Sequence, residues 1–169
     1  MSIVQKLDRV FQADRALREA REELLASDDR DALVKALGAE VDKSLGVKET
    51  DERTAMRLVC AADLLGDVGT ADAARLLVKL LSHDEEAVHY AAGDRLKELL
   101  YDRYGEVARG LETEIDKNTL SDNALGEAAY LLAEVGEPGG AKIIAKLLKH
   151  KDADAARAAI ESLASLGDP

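Results

Sequence analysis

The chain has 169 residues, which fits one domain that buries roughly 70% of the surface its unfolded chain exposes, so no disulfide or metal is needed to staple it. Apolar residues make up 47%, mostly Ala and Leu, with aromatics at 3% and no Trp, which argues against a β-sandwich and for closely packed helices. A formal charge of −11 and a pI near 4.8 oppose long-range attraction to nucleic-acid phosphates, and the single Cys60 excludes an internal disulfide.

The predicted elements begin with a long amphipathic helix from Ser2 to Ala26, in which Ile3, Leu7, Val10, Phe11, Leu17, Leu24 and Leu25 recur at spacings of three, four and seven. Its stripe must cover the first helix pair or meet another chain, and covering is the expected role. Asp28 and Asp29 follow Ser27 and supply N-cap chemistry for a second helix carrying Leu33, Val34, Leu37, Val41 and Leu45, with Gly46 as its stop and Val47 to Asp51 as a linker. Gly38, Gly46, Gly69, Gly105, Gly136 and Gly167 stand where apolar runs stop and read as helix punctuation. Met1 to Lys6 holds no basic segment leading into an apolar run, and nothing approaches the ~20 apolar residues of a membrane span, so a soluble, cytoplasmic protein is expected.

Beyond the linker the chain repeats itself. Ala74-Arg75-Leu76-Leu77-Val78-Lys79-Leu80-Leu81-Ser82-His83 aligns without gaps on Ala141-Lys142-Ile143-Ile144-Ala145-Lys146-Leu147-Leu148-Lys149-His150, sixty-seven positions later. Upstream, Ala61 to Gly69 aligns on Ala128 to Gly136, and Ala159 to Gly167 follows the same outline. Between them, Asp84 to Arg103 reads as a longer first helix facing inward through Val88, Ala91, Ala92, Leu96, Leu99 and Leu100, and Tyr104 to Lys117 as its partner through Val107, Ala108, Leu111 and Ile115. Each unit is a helix, a turn and a second helix, and neither helix hides its stripe alone, so stacking is obligatory.

This pattern resembles the HEAT and HEAT-like (phycobilisome-lyase-type) repeats, whose first helix opens on an acid followed five positions later by a basic residue. The matching pairs are Glu52 with Arg57, Asp84 with His89, and Asp152 with Arg157, while Asp122 with Glu127 departs at the basic position. The family's "LGD" turn is matched by Leu65-Gly66-Asp67 and Leu166-Gly167-Asp168-Pro169. The resemblance implies an all-α fold, an α-solenoid of stacked antiparallel helix pairs with a long N-terminal capping helix. It covers Glu52 to Pro169, and the first fifty residues only in that they look helical; the single domain, 1–169, then divides into a helical cap (1–50), helix-pair repeats (51–83, 84–120, 121–151) and a terminal half-repeat (152–169). It also implies an inter-repeat charge ladder through Glu52, Arg57, Asp84, His89, Asp122, Asp152 and Arg157. The last first-type helix has no second helix of its own, so it either ends the stack or packs on something else, and self-association through the terminal helices is one outcome.

Reactive chemistry is sparse. His83 and His150 end equivalent second helices, where the helix dipole favours an imidazolium, and His89 stands at the repeat's basic position. The run from His83 to His89 separates its two histidines by most of a repeat junction, so no metal site and no catalytic residue is assigned. The residues after the histidines, Asp84, Tyr90 and Lys151, lack the His-Glu pairs of the di-iron repeat enzyme deoxyhypusine hydroxylase. No GxxxxGK[ST], HExxH, GxSxG or CxxC occurs, and Gly136-Glu137-Pro138-Gly139-Gly140 reads as a turn with Pro138 opening the next helix.

Second helices line the concave face of such solenoids. Arg75, Lys79, Arg109, Lys142, Lys146 and Lys149 therefore form a candidate basic patch in an acidic body, suited to an acidic protein partner. The expected function is a non-catalytic adaptor or scaffold without a cofactor. The alternative suggested by the resemblance is a bilin lyase or chromophore-handling factor. A nucleic-acid partner, as in the HEAT-like alkylpurine glycosylases, is disfavoured by the charge and the missing Trp.

Overall fold

The computed structural model describes residues 2–27, 29–45 and 50–167. These described residues form eight helices, α1 (Ile3–Leu25), α2 (Arg30–Leu45), α3 (Glu52–Val68), α4 (Ala71–Leu80), α5 (Glu86–Lys117), α6 (Asp122–Val135), α7 (Pro138–Leu147) and α8 (Ala153–Gly167). No strand occurs among the described residues, so the protein is all-α.

Short polar side chains set the helix starts by accepting orphan backbone N–H groups. The Asp51 carboxylate takes the Thr54 N–H at 2.7 Å, the Thr70 hydroxyl takes that of Ala73, the Ser121 hydroxyl takes that of Ala124, and Asp29 takes that of Ala32 at 2.9 Å. Ser2 and Gln5 form a reciprocal capping box on α1. Gly69 and Gly136 end α3 and α6 with φ of 62° and 72°, the left-handed backbone that a side chain resists.

Gly38 and Gly105 do not punctuate, because they lie inside α2 and α5; Gly167 is the last residue of α8, and Gly46 falls outside the described residues with most of the predicted linker. The first "LGD" segment is also no turn, because Gly66 and Asp67 belong to the last turns of α3, and Asp168 and Pro169 of the second lie outside the described residues. Gly66 is there for packing: a Cβ would come within 2.7 Å of Arg95 Cδ, so the glycine lets the arginine of α5 cross the helix. The break inside α5 falls at Arg103 (φ −141°, ψ 46°), whose guanidinium donates to the Gly69 carbonyl at 3.2 Å and so ties the bend to the end of α3.

The helices sort into two rows by their contacts. The first half of α5 packs on α3 through Arg95 and Leu99 and approaches α6 at Gly93, and α6 packs on α8 where Gly126 meets Ala158. The second half of α5 packs on α4, where Gly110 meets Arg75, and on α7, where Tyr104 covers Gly139 and Gly140. Helix α2 continues the second row by packing on α4. Between the rows lies one continuous apolar core, including the fully buried Leu65, Leu77, Leu96, Leu100, Leu111, Leu132 and Ile144. Each such side chain contributes about 1.5 to 3 kcal/mol by leaving water.

Helix α1 corrects the expected cap. It buries no residue, and Ile3 (70% exposed), Val10, Phe11 (65%) and Leu17 all face solvent. Only its C-terminal end docks, where Arg21 reaches Asp67 of α3 at 2.7 Å and Leu25 touches the core. Residues 3 to 17 therefore overhang the body instead of covering the first helix pair.

Candidate functional site

The six cations of the candidate patch do lie on the second row, but the structure treats them in two ways. Lys79 of α4 reaches Asp42 of α2 at 3.0 Å. Arg75 of α4 reaches Glu114 of α5 through Nε (3.2 Å) and Nη2 (3.1 Å), and Asp72 on its own helix. Lys146 of α7 is held between Glu112 and Asp116 of α5, each at 2.8 Å. These three cations join neighbouring helices and are not available as a bare positive surface. Arg109, Lys142 and Lys149 are exposed and carry no ion pair among the described residues.

Glu114 anchors this wall. Its carboxylate is 1% exposed. It accepts from Arg75, from Lys117 at 3.3 Å and from the Thr119 hydroxyl at 2.8 Å. Burial alone pushes its pKa up, but the donors from Thr119, Arg75 and Lys117 outweigh that and hold it below the ordinary carboxylate value. A buried carboxylate with three donors ties α4 to α5, since together they compensate a charge that burial alone would leave costly. Sequence reading passed over Glu114, although it sits three residues after Leu111 and seven after Val107, on the apolar stripe. An acid on that stripe was the available signal.

The expected inter-repeat ladder is not built from the predicted residues. Arg57 turns back to Glu40 of α2 at 2.8 Å, and Glu52 and Asp84 are exposed. His89 donates from Nδ1 to the Leu81 carbonyl at 2.8 Å. Asp122 lies 4.0 Å from His150, Asp152 caps α8 through the N–H groups of Asp154 and Ala155, and Arg157 pairs with Asp154 within α8. All seven positions stand in or near the first turns of their helices, where backbone N–H groups and neighbouring turns outcompete a reach across the stack. The first-row bridges come instead from mid-helix residues. Asp63 of α3 sits between Arg95 of α5 (3.0 Å) and Arg21 of α1 (3.5 Å), and Tyr130 of α6 donates to Glu161 of α8 at 2.7 Å.

The histidines also depart from expectation. His83 Nδ1 accepts the Glu85 N–H at 3.0 Å, and His150 Nδ1 accepts the Asp152 N–H at 3.3 Å. At His83 the ring that accepts through Nδ1 is neutral, so the helix dipole does not hold an imidazolium there. His83 is buried, and that burial lowers its pKa against the opposing pull of Asp84 and Glu85. Its other nitrogen faces the Thr50 hydroxyl at 3.3 Å, so both ring nitrogens serve the turn. Cys60 is a free, half-buried thiol beside a cleft of about 400 Å³ between α2 and α3. Among the described residues no three His, Cys, Asp or Glu side chains are grouped to hold a metal ion.

The second row also carries a groove of about 350 Å³ between α2 and α4, bordered by Lys35, Arg75 and Lys79. The second row thus carries paired charges on Arg75, Lys79 and Lys146 and, among the described residues, three cations without an ion pair, Arg109, Lys142 and Lys149. No protein-family model matches the chain, and no curated protein is significantly similar to it. No helix among the described residues is long and apolar enough to cross a membrane.

Proposed function

We propose that the chain is a HEAT-like solenoid that works as a non-catalytic docking scaffold, with the second row of helices as its partner surface. The observation that carries this reading is the inter-helix wiring of that row. Asp42–Lys79, Arg75–Glu114 and Glu112/Asp116–Lys146 tie α2, α4, α5 and α7 in succession into a preorganised wall. Rigid, pre-satisfied surfaces lose little entropy on docking. Further support comes from the sequence repetition, whose two copies share a left-handed glycine at Gly69 and Gly136 and a histidine-closed turn at His83 and His150.

The partner chemistry follows from what the wall leaves unpaired. Arg109 stands on the helical turn before Thr113, and Lys142 on the turn before Lys146, so both flank the Glu112/Asp116–Lys146 cluster on α5 and α7. Lys149 follows at the end of α7. These cations suit an acidic protein surface. The test is quantitative affinity capture from cells that express the protein, comparing the wild type with an Arg109→Glu/Lys142→Glu/Lys149→Glu variant whose helicity and urea midpoint are checked. Loss of the same captured partner in the variant is the expected result. Identical capture by both proteins removes the second row from the partner surface.

A further inference from the structure

We propose that the groove across the starts of α5, α6 and α8 docks a basic segment of a partner protein, with a lysine or arginine side chain seated at Tyr90 and Tyr130 against Glu127. It lies on the first row and is independent of the second-row wall. The groove measures about 640 Å³, and two phenol rings stand at it in water, Tyr90 60% and Tyr130 46% exposed. Aromatics make up 3% of the chain, and two of its four tyrosines are placed here.

Both rings are held before any partner arrives. Tyr90 meets the His89 ring edge-on with centroids 5.9 Å apart, and His89 is itself fixed by the bond from its Nδ1 to the Leu81 carbonyl. Tyr130 donates to Glu161 of α8 at 2.7 Å. Glu127 reaches toward both. It stands three residues before Tyr130 on α6, and its Oε1 comes within 3.8 Å of where a Cβ would sit on Gly93, one turn beyond Tyr90 on α5. Its charge adds to that of Glu86 in raising the Tyr90 pKa and to that of Glu161 in raising the Tyr130 pKa, so both phenols feel it.

Charge selects the occupant. Asp84, Glu86, Asp122, Glu127 and Asp154 border the groove, and Arg157 is the one lysine or arginine among the described residues that does so. Arg157 is committed within its own helix, to Asp154 at 2.9 Å and to Glu161 at 4.0 Å, and Asp122 lies 4.0 Å from His150. His83, which also borders the groove, is neutral. Glu86 and Glu127 are left without an ion pair among the described residues. The repetition of the chain makes the same point. Where α6 carries Glu127, the other first-row helices carry Arg57, His89 and Arg157, so the cation that belongs at this place in the row has to come from outside the chain.

A lysine or arginine in this position meets a carboxylate and exposed ring faces together, and both attract it. An acidic or purely apolar segment gains neither, which is why a basic segment is the occupant.

Titration of the isotope-labelled protein with a blocked hexapeptide of alternating glycine and arginine, followed by amide chemical shifts at low salt, tests the proposal. The largest shifts are expected at residues 84–90, 121–130 and 154–158. Glu127→Gln and Tyr90→Leu should each weaken binding about three- to tenfold, while Tyr90→Phe, which keeps the ring face, should stay within about twofold of the wild type. Glu23→Gln makes the same change in net charge on exposed α1 and should likewise have no more than about a twofold effect. Urea midpoints should be unchanged in all four variants, because Tyr90 is exposed and Glu127 has no ion pair to lose. Shifts spread over the acidic surface at large, or Glu127→Gln binding no more weakly than Glu23→Gln, overturn the proposal. A Tyr90→Leu variant that binds as tightly as Tyr90→Phe overturns the part assigned to the ring.

Discussion

Helix pairs α3–α4 and α6–α7 carry matching apolar patterns sixty-seven residues apart, from Ala61 to His83 and from Ala128 to His150, yet they live in different surroundings. Leu77 and Ile144 are both buried, but Leu81 is 1% exposed and its counterpart Leu148 is 43% exposed. Arg75 is locked onto Glu114, whereas its counterpart Lys142 is exposed and has no ion pair among the described residues. The difference is position. The second half of α5 covers α4, while α7 has α5 on one side only and no later second-row helix among the described residues. The pattern within a helix decides which face is apolar, and the neighbour in the row decides whether that face is spent on stability or left as surface.

The sharpest way to break this comparison is at the packing pair. In urea unfolding Leu81→Ala should cost about 3 kcal/mol and Leu148→Ala about 1 kcal/mol or less, and equal values would mean that α5 does not cover α4 as described. Next comes the clamp. Glu114→Ala should destabilise the fold by about 1 to 3 kcal/mol, since it removes the acceptor shared by Arg75, Thr119 and Lys117 between α4 and α5, whereas Lys142→Ala should stay within about 0.5 kcal/mol; urea unfolding measures both.

The two left-handed glycines give a smaller contrast. Both resist a side chain through their φ, but a Cβ at Gly69 would also come within 3.2 Å of Leu99 Cδ2, while Gly136 has nothing within 4 Å. Gly69→Ala should cost about 2 kcal/mol and Gly136→Ala about 1 kcal/mol in the same assay. The smallest expected effect is a pH slope. His83 is neutral in the fold and its folded pKa is lowered by burial, so the unfolded chain binds the proton more readily. Its contribution is present above the unfolded value, near 6.5, and is lost as pH falls through the lower folded value. Urea midpoints at pH 7.5, 6.5 and 5.5 should fall for the wild type and fall less for His83→Gln.

Much of the helical layout was legible because periodic apolar residues and short polar caps are local signals. The stripe of α1, the inward faces of α3 to α8 and the end glycines Gly69 and Gly136 all come from spacing. What was not legible depends on neighbours distant in sequence. Gly66 looks like a stop until Arg95 is seen crossing it, and the basic patch looks bare until Asp42, Glu112, Glu114 and Asp116 arrive from other helices. The helix-start acids were read as a ladder because resemblance supplied their spacing, but bridges of this length are made from mid-helix positions such as Asp63. The face of α1 was read correctly as apolar, but periodicity carries no information about whether anything lies against it.

Amide hydrogen exchange tests the central claim, that burial follows place in the row and not the sequence pattern of the helix. The account predicts slowest exchange in α3, α4 and the adjoining parts of α5, faster exchange in α7 despite an apolar pattern matching that of α4, and fastest exchange in residues 3 to 17 of α1. Equal protection of α4 and α7, or protection of α1 comparable to α4, would contradict it.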